Sequence, residues 1–337
     1  MPVSTIFIIL LTVVTCHADH VARINENGAI TAGPVTDHII ADWISPESNV
    51  TNERNIFVGQ HTQIFSYSPD LTYVASVSGI VGGVTIDDVR NSIYISNYES
   101  GRYGDHTYLV RVLDYDFNEK YSFEVPAVPI SLSVDESNAG VWVSTFCGEN
   151  DGLHKYNENG EETLFVPESY GVRRLGRTDV TGSVWASYVL GTELILKRHD
   201  SNGNVIVEIE KLFDNFEFGE VWGNDGSIWL IVGHGANTEV YKLNSVGSIT
   251  ARYSGMDNIC SLTVNQANGS VWLTNNRGEI VRLNSDGQEE LRLRWFEDQV
   301  LGAIGDPSDN SAIVFSQFNW GESIQPSSLG EIKAMFK

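Results

Sequence analysis

The feature that most constrains the fold is a short motif that recurs along the chain at nearly even intervals. Its clearest copy is GSVW at residues 269–272, in which small and apolar residues lead to a tryptophan. The seven anchor residues are Phe57, Tyr94, Trp142, Trp185, Trp229, Trp272 and Ile313, and the intervals between them are 37, 48, 43, 44, 43 and 41 residues. This spacing is the period of a four-stranded propeller blade.

A polar turn between two alternating segments recurs with the same count. Clear copies are LNSDGQ, LNSVGS, HDSNGN, YNENGE and INENGA, and looser copies are YDFNEK and YSPDLT. Asn, Asp and Gly tolerate the positive φ that tight hairpin turns require. Val, Ile, Thr and aromatic residues fill the segments between the turns, and helical periodicity is weak. The sequence therefore predicts an all-β chain that forms a single seven-bladed propeller of four-stranded antiparallel blades, with six blades as the alternative.

The two ends of the chain are expected to share one blade. The segment HVARINENGAITAG near the N-terminus has no blade of its own, and only one further strand is expected after NSAIVFSQF. Pairing the N- and C-terminal strands in one sheet would close the ring and leave only short edges. We expect residues 19–337 to form this one domain, in which each anchor aromatic starts a second strand and packs between neighbouring blades.

The first residues indicate secretion. Residues 6–14 are an apolar run of signal-peptide length, and a small-residue pattern follows that predicts cleavage after Ala18, which gives a signal peptide of residues 1–18. Cleavage would remove Cys16 and leave Cys147 and Cys260 in an oxidising compartment. A disulfide between them requires Cα atoms within about 7 Å, although their blades lie nearly opposite each other. If bonded, the pair would staple a pocket; if not, Cys147 would be a thiol available for function.

The charge balance excludes two classes of partner. The chain has 21 basic and 44 acidic residues, which gives a net charge of −23. Such a chain repels phosphate backbones and anionic lipid headgroups, so nucleic acid and membrane surfaces are not expected as partners. No later apolar run is long enough for a membrane helix. We expect an extracellular monomer with a small-molecule or glycan ligand.

The stretch GSVWLTNNRGEIVRLNSDG, residues 269–287, resembles the repeat of the virginiamycin B lyase-like and NHL-type propellers. Those repeats share a small–x–apolar–Trp strand and then an apolar–x–basic–apolar–Asn/Asp strand that ends in a glycine turn. The resemblance implies the architecture. In the lyase-like repeats an acidic residue commonly follows the Trp, but here the sequences LTNN, LIVG, ASYV and VSTF follow, so no catalytic residue is carried over.

The predicted topology separates two faces of the disk. With strands A to D in chain order, the A–B and C–D connections lie on one face, here named the bottom, and the B–C and D–A connections on the other, the top. The bottom turns are tight and repetitive, whereas the top connections are irregular, and binding residues concentrate in such loops. The two glycosylation sequons, at Asn49 and Asn268, are both predicted in A–B connections on the bottom.

The predicted top connections contain the residues that could carry chemistry. Each could instead be an ordinary solvated loop residue, and for a single histidine that is the more common case. The candidate catalytic residues are His61, His106, His234, Arg102, Arg277 and Cys147, as general bases, anion-binding groups or a thiol. The candidate oxygen ligands of Ca²⁺ or another divalent cation are Asp105, Glu149, Asp151 and Glu322. No motif for an organic cofactor is present.

Two functions remain open at the level of the sequence. The first is a secreted enzyme that acts on a small organic molecule in a pocket at the top of the central channel, as a lyase, a hydrolase or an oxidative enzyme. The second is a non-catalytic binding module for a glycan, a peptide or another extracellular partner, in which exposed aromatic residues provide the contacts.

Overall fold

The computed structural model describes most of the chain between Ala18 and Phe318. The described residues are 18–27, 30–36, 49–50, 56–59, 63–68, 73–80, 82–100, 106–146, 150–168, 171–190, 193–210, 216–233, 237–294, 299–306 and 311–318. The predicted signal peptide lies outside them except for Ala18, and so does the C-terminal segment SSLGEIKAMFK. The described residues contain no helix that is long and apolar enough to cross a membrane.

These residues form 28 strands that pair into seven four-stranded antiparallel sheets. Sheet 1 consists of β3 (Asn49–Val50), β4 (Ile56–Gly59), β5 (Gln63–Tyr67) and β6 (Tyr73–Ser78). Sheet 2 consists of β7 (Val84–Asp87), β8 (Ser92–Ser100), β9 (His106–Leu113) and β10 (Glu119–Val125). Sheet 3 consists of β11 (Val128–Asp135), β12 (Gly140–Phe146), β13 (Gly152–Tyr156) and β14 (Glu162–Pro167).

The remaining sheets follow the same order. Sheet 4 consists of β15 (Gly171–Leu175), β16 (Val184–Leu190), β17 (Glu193–His199) and β18 (Val205–Glu210). Sheet 5 consists of β19 (Phe216–Trp222), β20 (Ser227–Val232), β21 (Glu239–Leu243) and β22 (Ile249–Tyr253). Sheet 6 consists of β23 (Ile259–Val264), β24 (Val271–Asn275), β25 (Glu279–Leu283) and β26 (Glu289–Arg294). The closing sheet consists of β27 (Gln299–Gly305), β28 (Ala312–Phe318), β1 (Ala18–Ile24) and β2 (Ile30–Thr36).

The closing sheet joins the two ends of the chain as the sequence predicts. Its strand order is β2-β1-β28-β27, and β1 pairs antiparallel with β28 from Ala18↔Phe318 to Ile24↔Ala312. Each end therefore contributes two strands. The strand β27 contacts β23 and β24 of sheet 6 and β3 of sheet 1, so the closing sheet lies between the last and the first of the other sheets.

The core consists of apolar clusters that lie between successive sheets. The anchor tryptophan of one sheet packs against the next: Trp142 against Val172 and Leu175, and Trp229 against Leu262 and its neighbours. The four anchor tryptophans, Trp142, Trp185, Trp229 and Trp272, are at most 1% exposed. Removing one such side chain costs about 3–5 kcal/mol in a protein core. The predicted role of these aromatics as packing between blades is confirmed.

The first and last strands of the sheets have different surroundings. First strands of neighbouring sheets contact each other, as β7 with β11, β11 with β15 and β19 with β23, which makes them the innermost strands. A Cβ atom at Gly82 would lie 2.0 Å from the carbonyl oxygen of Pro129, so this approach requires glycine. The last strands, such as β18 and β26, alternate between exposed and half-buried residues, as expected for outer strands with one solvated face. The all-β propeller of four-stranded antiparallel blades is thus confirmed.

Candidate functional site

The C–D turns on the bottom face share one construction. In five sheets the side-chain oxygen of the first turn residue accepts two hydrogen bonds of 2.8–3.2 Å. The donors are the backbone N–H groups of the second and fourth residues after it. These residues are Asp114, Asn157, Asp200, Asn244 and Asn284. Such side-chain bonds replace backbone partners that the chain lacks at a tight turn. Their polar atoms are used within the fold, which indicates a structural role.

The basic residue of the repeat also has a structural role. In sheet 3, Lys155 lies 4.8 Å from the Trp142 ring, forms an ion pair of 2.7 Å with Asp135, and donates to the carbonyl of Ser201 in sheet 4 at 3.1 Å. Arg198 likewise pairs with Asp179 and donates to the carbonyl of Ser245 in sheet 5. Both cations are buried, as are their acidic partners. We name this arrangement the inter-sheet clamp, because it holds the C–D turn of the following sheet.

Sheet 6 departs from this pattern. Asn265 occupies the end of its innermost strand, and its amide donates to the carbonyl of Asp306 in the closing sheet at 3.0 Å. The basic residue, Arg282, lies over the Trp272 ring at 5.6 Å, and its nearest acid is Glu290 at 3.3 Å. Its Nε and Nη1 atoms are buried without a hydrogen-bond partner.

Two buried histidines are held inside the fold. His199 bonds to the hydroxyl of Tyr188 at 2.7 Å and to the carbonyl of Gly203 at 3.1 Å, and burial lowers its pKa. His154 contacts Thr145, the carbonyl of Asn150 and Glu162. These contacts indicate a structural role for both residues.

Four of the residues singled out in the sequence have a defined position. Arg277 lies in the B–C turn of sheet 6, where its Nη1 is 3.7 Å from Asp257 Oδ2 and both side chains are about half exposed. Asp151 is partly buried before β13, and its carbonyl accepts the N–H of Glu168 at 3.3 Å. The thiol of Cys260 lies 3.4 Å from the carbonyl of Thr274. Asn268 is exposed in the A–B connection of sheet 6, as predicted. Arg277 and Cys260 lie at the B–C end of sheet 6, Asn268 lies at the other end of that sheet, and Asp151 belongs to sheet 3.

Two positional predictions need correction. His106 begins β9 and pairs with Ser100, so it is a strand residue and not a loop residue. The predicted long connection after Tyr94 is shorter than expected, because aromatic and β-branched pairs such as Tyr98↔Tyr108 extend the hairpin and leave only residues 101–105 between its strands. Asn49 lies in β3 opposite Phe57, at the end of an innermost strand rather than in the A–B connection that follows it.

The remaining candidates lie outside the described residues. They are His61, His234, Arg102, Cys147, Asp105, Glu149 and Glu322. Their predicted roles, and the predicted bond between Cys147 and Cys260, therefore stay predictions. Within the part of the chain that the structure describes, no group of three or more His, Cys, Asp or Glu side chains is arranged to hold a metal ion.

The structure reveals one titratable group that the sequence reasoning missed. Glu220 lies in the innermost strand β19 and accepts hydrogen bonds from Thr263 Oγ1 at 3.0 Å, from the N–H of Val264 and from Gln266 Nε2 at 3.1 Å. Burial raises its pKa from 4.5 to about 7, although the hydrogen bonds and the charge of Arg177 act in the opposite direction. A carboxyl group with this pKa exchanges protons near neutral pH.

Two further charged residues lie near this acid. Arg177 Nη2 donates to Glu136 Oε1 at 2.7 Å, and Arg177 also interacts electrostatically with Glu220. Together with Gln266, these residues form a polar cluster at the bottom ends of the innermost strands of sheets 3 to 6. The sequence signal for it is the single acid near the end of FEFGEVW, an apolar and aromatic segment otherwise suited to a buried strand.

Comparison with known proteins identifies the architecture and no family. No family model and no curated protein sequence matches the chain. The fold of this chain matches 1219 chains of solved structures. One is a chain of hydrazine synthase from Kuenenia stuttgartiensis, with a TM-score of 0.60 and 11% sequence identity over 85% of this chain and 98% of that chain. At this identity the likeness supports the propeller fold alone, since one fold hosts many functions.

Proposed function

We propose that the chain is an extracellular propeller enzyme in which all seven sheets are blades, and that it acts on a small organic molecule at the top of the central channel. The observation that carries this proposal is the difference between the two faces. The bottom is built from repeated turns and clamps whose polar groups serve the fold. The top connections differ from sheet to sheet and contain His61, Arg102 and His234, so a ligand site is expected there.

The chemistry that fits this proposal is proton transfer. Histidine in the top connections is suited to general acid–base work near neutral pH. Arg102 would stabilise a carboxylate or an enolate that develops in the reaction. The reaction class within this description, whether elimination or hydrolysis, depends on the substrate.

The proposal is tested with a panel of chromogenic esters, aldonolactones and uronate-containing oligosaccharides, which probe hydrolysis and elimination. We expect turnover of one class by the wild-type protein. Substitutions His234→Ala and Arg102→Ala should each reduce kcat/KM at least 100-fold with little change in Tm, because removing a catalytic group costs about 10²–10⁴ in rate. Arg277→Ala is the matched control, since this arginine pairs with Asp257 on the surface. Full activity of both variants would exclude the proposed site.

Glu220 bonds to Gln266 at the bottom ends of the innermost strands, away from the proposed site. Glu220→Gln should therefore change the pH dependence of stability and leave the pH profile of kcat/KM intact.

The second candidate function is non-catalytic binding, and one observation favours it. Tyr98 and Phe146, near the top ends of β8 in sheet 2 and β12 in sheet 3, are both 45% exposed. Exposed aromatic rings of this kind provide stacking contacts for glycans and peptides. Binding on a glycan array that Tyr98→Ala and Phe146→Ala abolish, together with no turnover of the substrate panel, would favour this function over the enzyme.

A further inference from the structure

The outer strands of the sheets differ in how they protect their free edges. Among the described residues, each outer strand pairs on one side only, which leaves a row of backbone groups open to another chain. In β26 the exposed residues Glu290, Arg292 and Arg294 are charged, and β14 ends at Pro167. Charge and proline are the usual protection against strand addition. The outer strand β18 lacks this protection at its start, where Val205 and Ile206 are 43% and 48% exposed.

The neighbouring sheet adds apolar surface beside β18. The C–D turn of sheet 5 lies against this strand: the carbonyl of Ser245 accepts a hydrogen bond from Arg198 Nη1 at 2.7 Å. A Cβ atom at Gly247 would lie 2.8 Å from Val207 Cγ1, which shows how closely the turn packs. Val246, between these two contacts, is 69% exposed. Single exposed apolar residues are ordinary, but this group lies along one free strand edge.

The two faces of β18 have different chemistry. Side chains alternate between faces along a strand. Val207 and Ile209, opposite Arg198 and Leu196 of β17, pack towards sheet 5. Glu208 and Glu210 alternate with them and are exposed on the other face, and a register shift at the start of the strand places Val205, opposite His199, on that face as well. A strand added to this edge would therefore meet an apolar face and an acidic face.

We propose that the free edge of β18, with Val246 beside it, is a docking site for an extended segment of another protein in which basic and apolar residues alternate. The open backbone groups of β18 would pair with the segment as an additional strand. Its basic side chains would lie beside Glu208 and Glu210, and its apolar side chains beside Val207 and Val246, since opposite residues of paired strands share a face. This inference does not depend on the proposed enzymatic function.

Charge argues against a second copy of the chain as the occupant. Two β18 strands paired with each other would bring Glu208 and Glu210 of both copies onto shared faces, and like charges on paired strands are destabilising. Each copy also carries a net charge of −23, which opposes association. The same charge attracts a basic segment.

The test measures binding of the fluorescein-labelled peptide KVRVKVR to the whole protein by fluorescence anisotropy. The matched peptides are KKVVRRV, which has the same charge without the alternation, and KVRPKVR, whose proline removes a backbone donor. We expect KVRVKVR to bind at least tenfold more tightly than either. Equal binding of KKVVRRV would overturn the proposal, because it would show attraction to an acidic surface only.

Variants locate the site. Ile206→Lys, or Ile206→Thr if the first variant does not fold, should weaken binding of KVRVKVR at least tenfold. Glu208→Lys/Glu210→Lys should reverse the preference towards the acidic peptide EVEVEVE. Val74→Lys is the matched control, because Val74 is 58% exposed on the outer strand of sheet 1 and should not affect binding. An equal loss in the control, or a wild-type dimer in sedimentation that Ile206→Lys dissociates, would overturn the proposal.

Discussion

Sheets 4 and 6 contain the same repeat but connect their buried cations differently. In sheet 4, Arg198 pairs with Asp179 at the end of the innermost strand. In sheet 6 the equivalent acid is replaced by Asn265, which donates to the closing sheet, and the acid that pairs with Arg282 is Glu290, whose side chain is 43% exposed. The basic residue is thus not enough to form the clamp. The acid that follows strand A decides whether the cation has a buried partner.

This difference has an energetic consequence. A buried charge whose partner is removed costs several kcal/mol, whereas an exposed acid such as Glu290 is solvated by water when its cation is removed. The aliphatic part of either arginine can still cover the tryptophan surface beside it. Replacing the charged group by an apolar one of similar length therefore distinguishes the two sheets.

The largest expected effect is the loss of the clamp in sheet 4. Arg198→Met should reduce the free energy of unfolding by about 3–5 kcal/mol, because it leaves Asp179 buried and unpaired. Arg282→Met in sheet 6 should change it by about 1 kcal/mol or less, since no buried acid is left behind. Urea unfolding followed by tryptophan fluorescence measures both.

A double variant provides the control. Arg198→Met combined with Asp179→Leu removes both charges and should recover most of the lost stability, as apolar replacements of buried ion pairs often do. If Arg198→Met and Arg282→Met were equally destabilising, or the double variant were no better than the single one, the comparison between the two sheets would be wrong.

A smaller effect is expected at Glu220, whose side chain accepts hydrogen bonds from Thr263 and Gln266 and so joins sheet 5 to sheet 6. Its pKa is raised from 4.5 to about 7 in the folded protein, so the folded state binds the proton more tightly than the unfolded state. The contribution of Glu220 to stability is therefore fully present below pH 4.5 and is lost as the pH rises through about 7, by on the order of 1–3 kcal/mol. Glu220→Gln should remove this dependence.

Unfolding in urea at pH 5, 6, 7 and 8 measures the difference between wild type and Glu220→Gln. The variant should gain stability relative to the wild type as the pH rises. A difference that is constant over this range would show that Glu220 does not titrate there. Burial lowers the pKa of His199, so its effect on stability lies towards acidic pH. It is the same in both proteins and does not contribute to the difference between them.

The C–D turn of sheet 6 gives a third, smaller effect. The Oδ1 atom of Asn284 accepts hydrogen bonds from the backbone N–H groups of Asp286 and Gln288 at 3.0 and 2.9 Å. Asn284→Ala should cost about 0.5–2 kcal/mol, the range for exposed side-chain bonds to backbone N–H groups. Asn284→Asp keeps an acceptor and serves as the control in thermal unfolding. Equal destabilisation by the two variants would contradict a role of this oxygen atom.

The sequence predicts the fold better than the site, for physical reasons. Anchor aromatics and turns such as the one at Asn284 depend on local spacing, so period and turn chemistry identify them. The partners of Arg198 and Glu220 lie on other strands or in the next sheet, and no local pattern distinguishes Asp179 from Asn265. His106 was misplaced because strand extension beyond the anchor depends on pairing with β9, which spacing does not reveal.

The smallest effect is expected at Arg277, which has an acidic partner but lies on the surface of sheet 6. Its Nη1 is 3.7 Å from Asp257, and its side chain is 59% exposed. Exposed pairs contribute about 0–1 kcal/mol because water screens them, so Arg277→Ala should change stability by less than about 0.5 kcal/mol. Arg198 and Arg277 both have acidic partners, and burial is what separates them. If thermal unfolding showed a loss for Arg277→Ala close to that of Arg198→Met, pairing rather than burial would determine the contribution of these arginines.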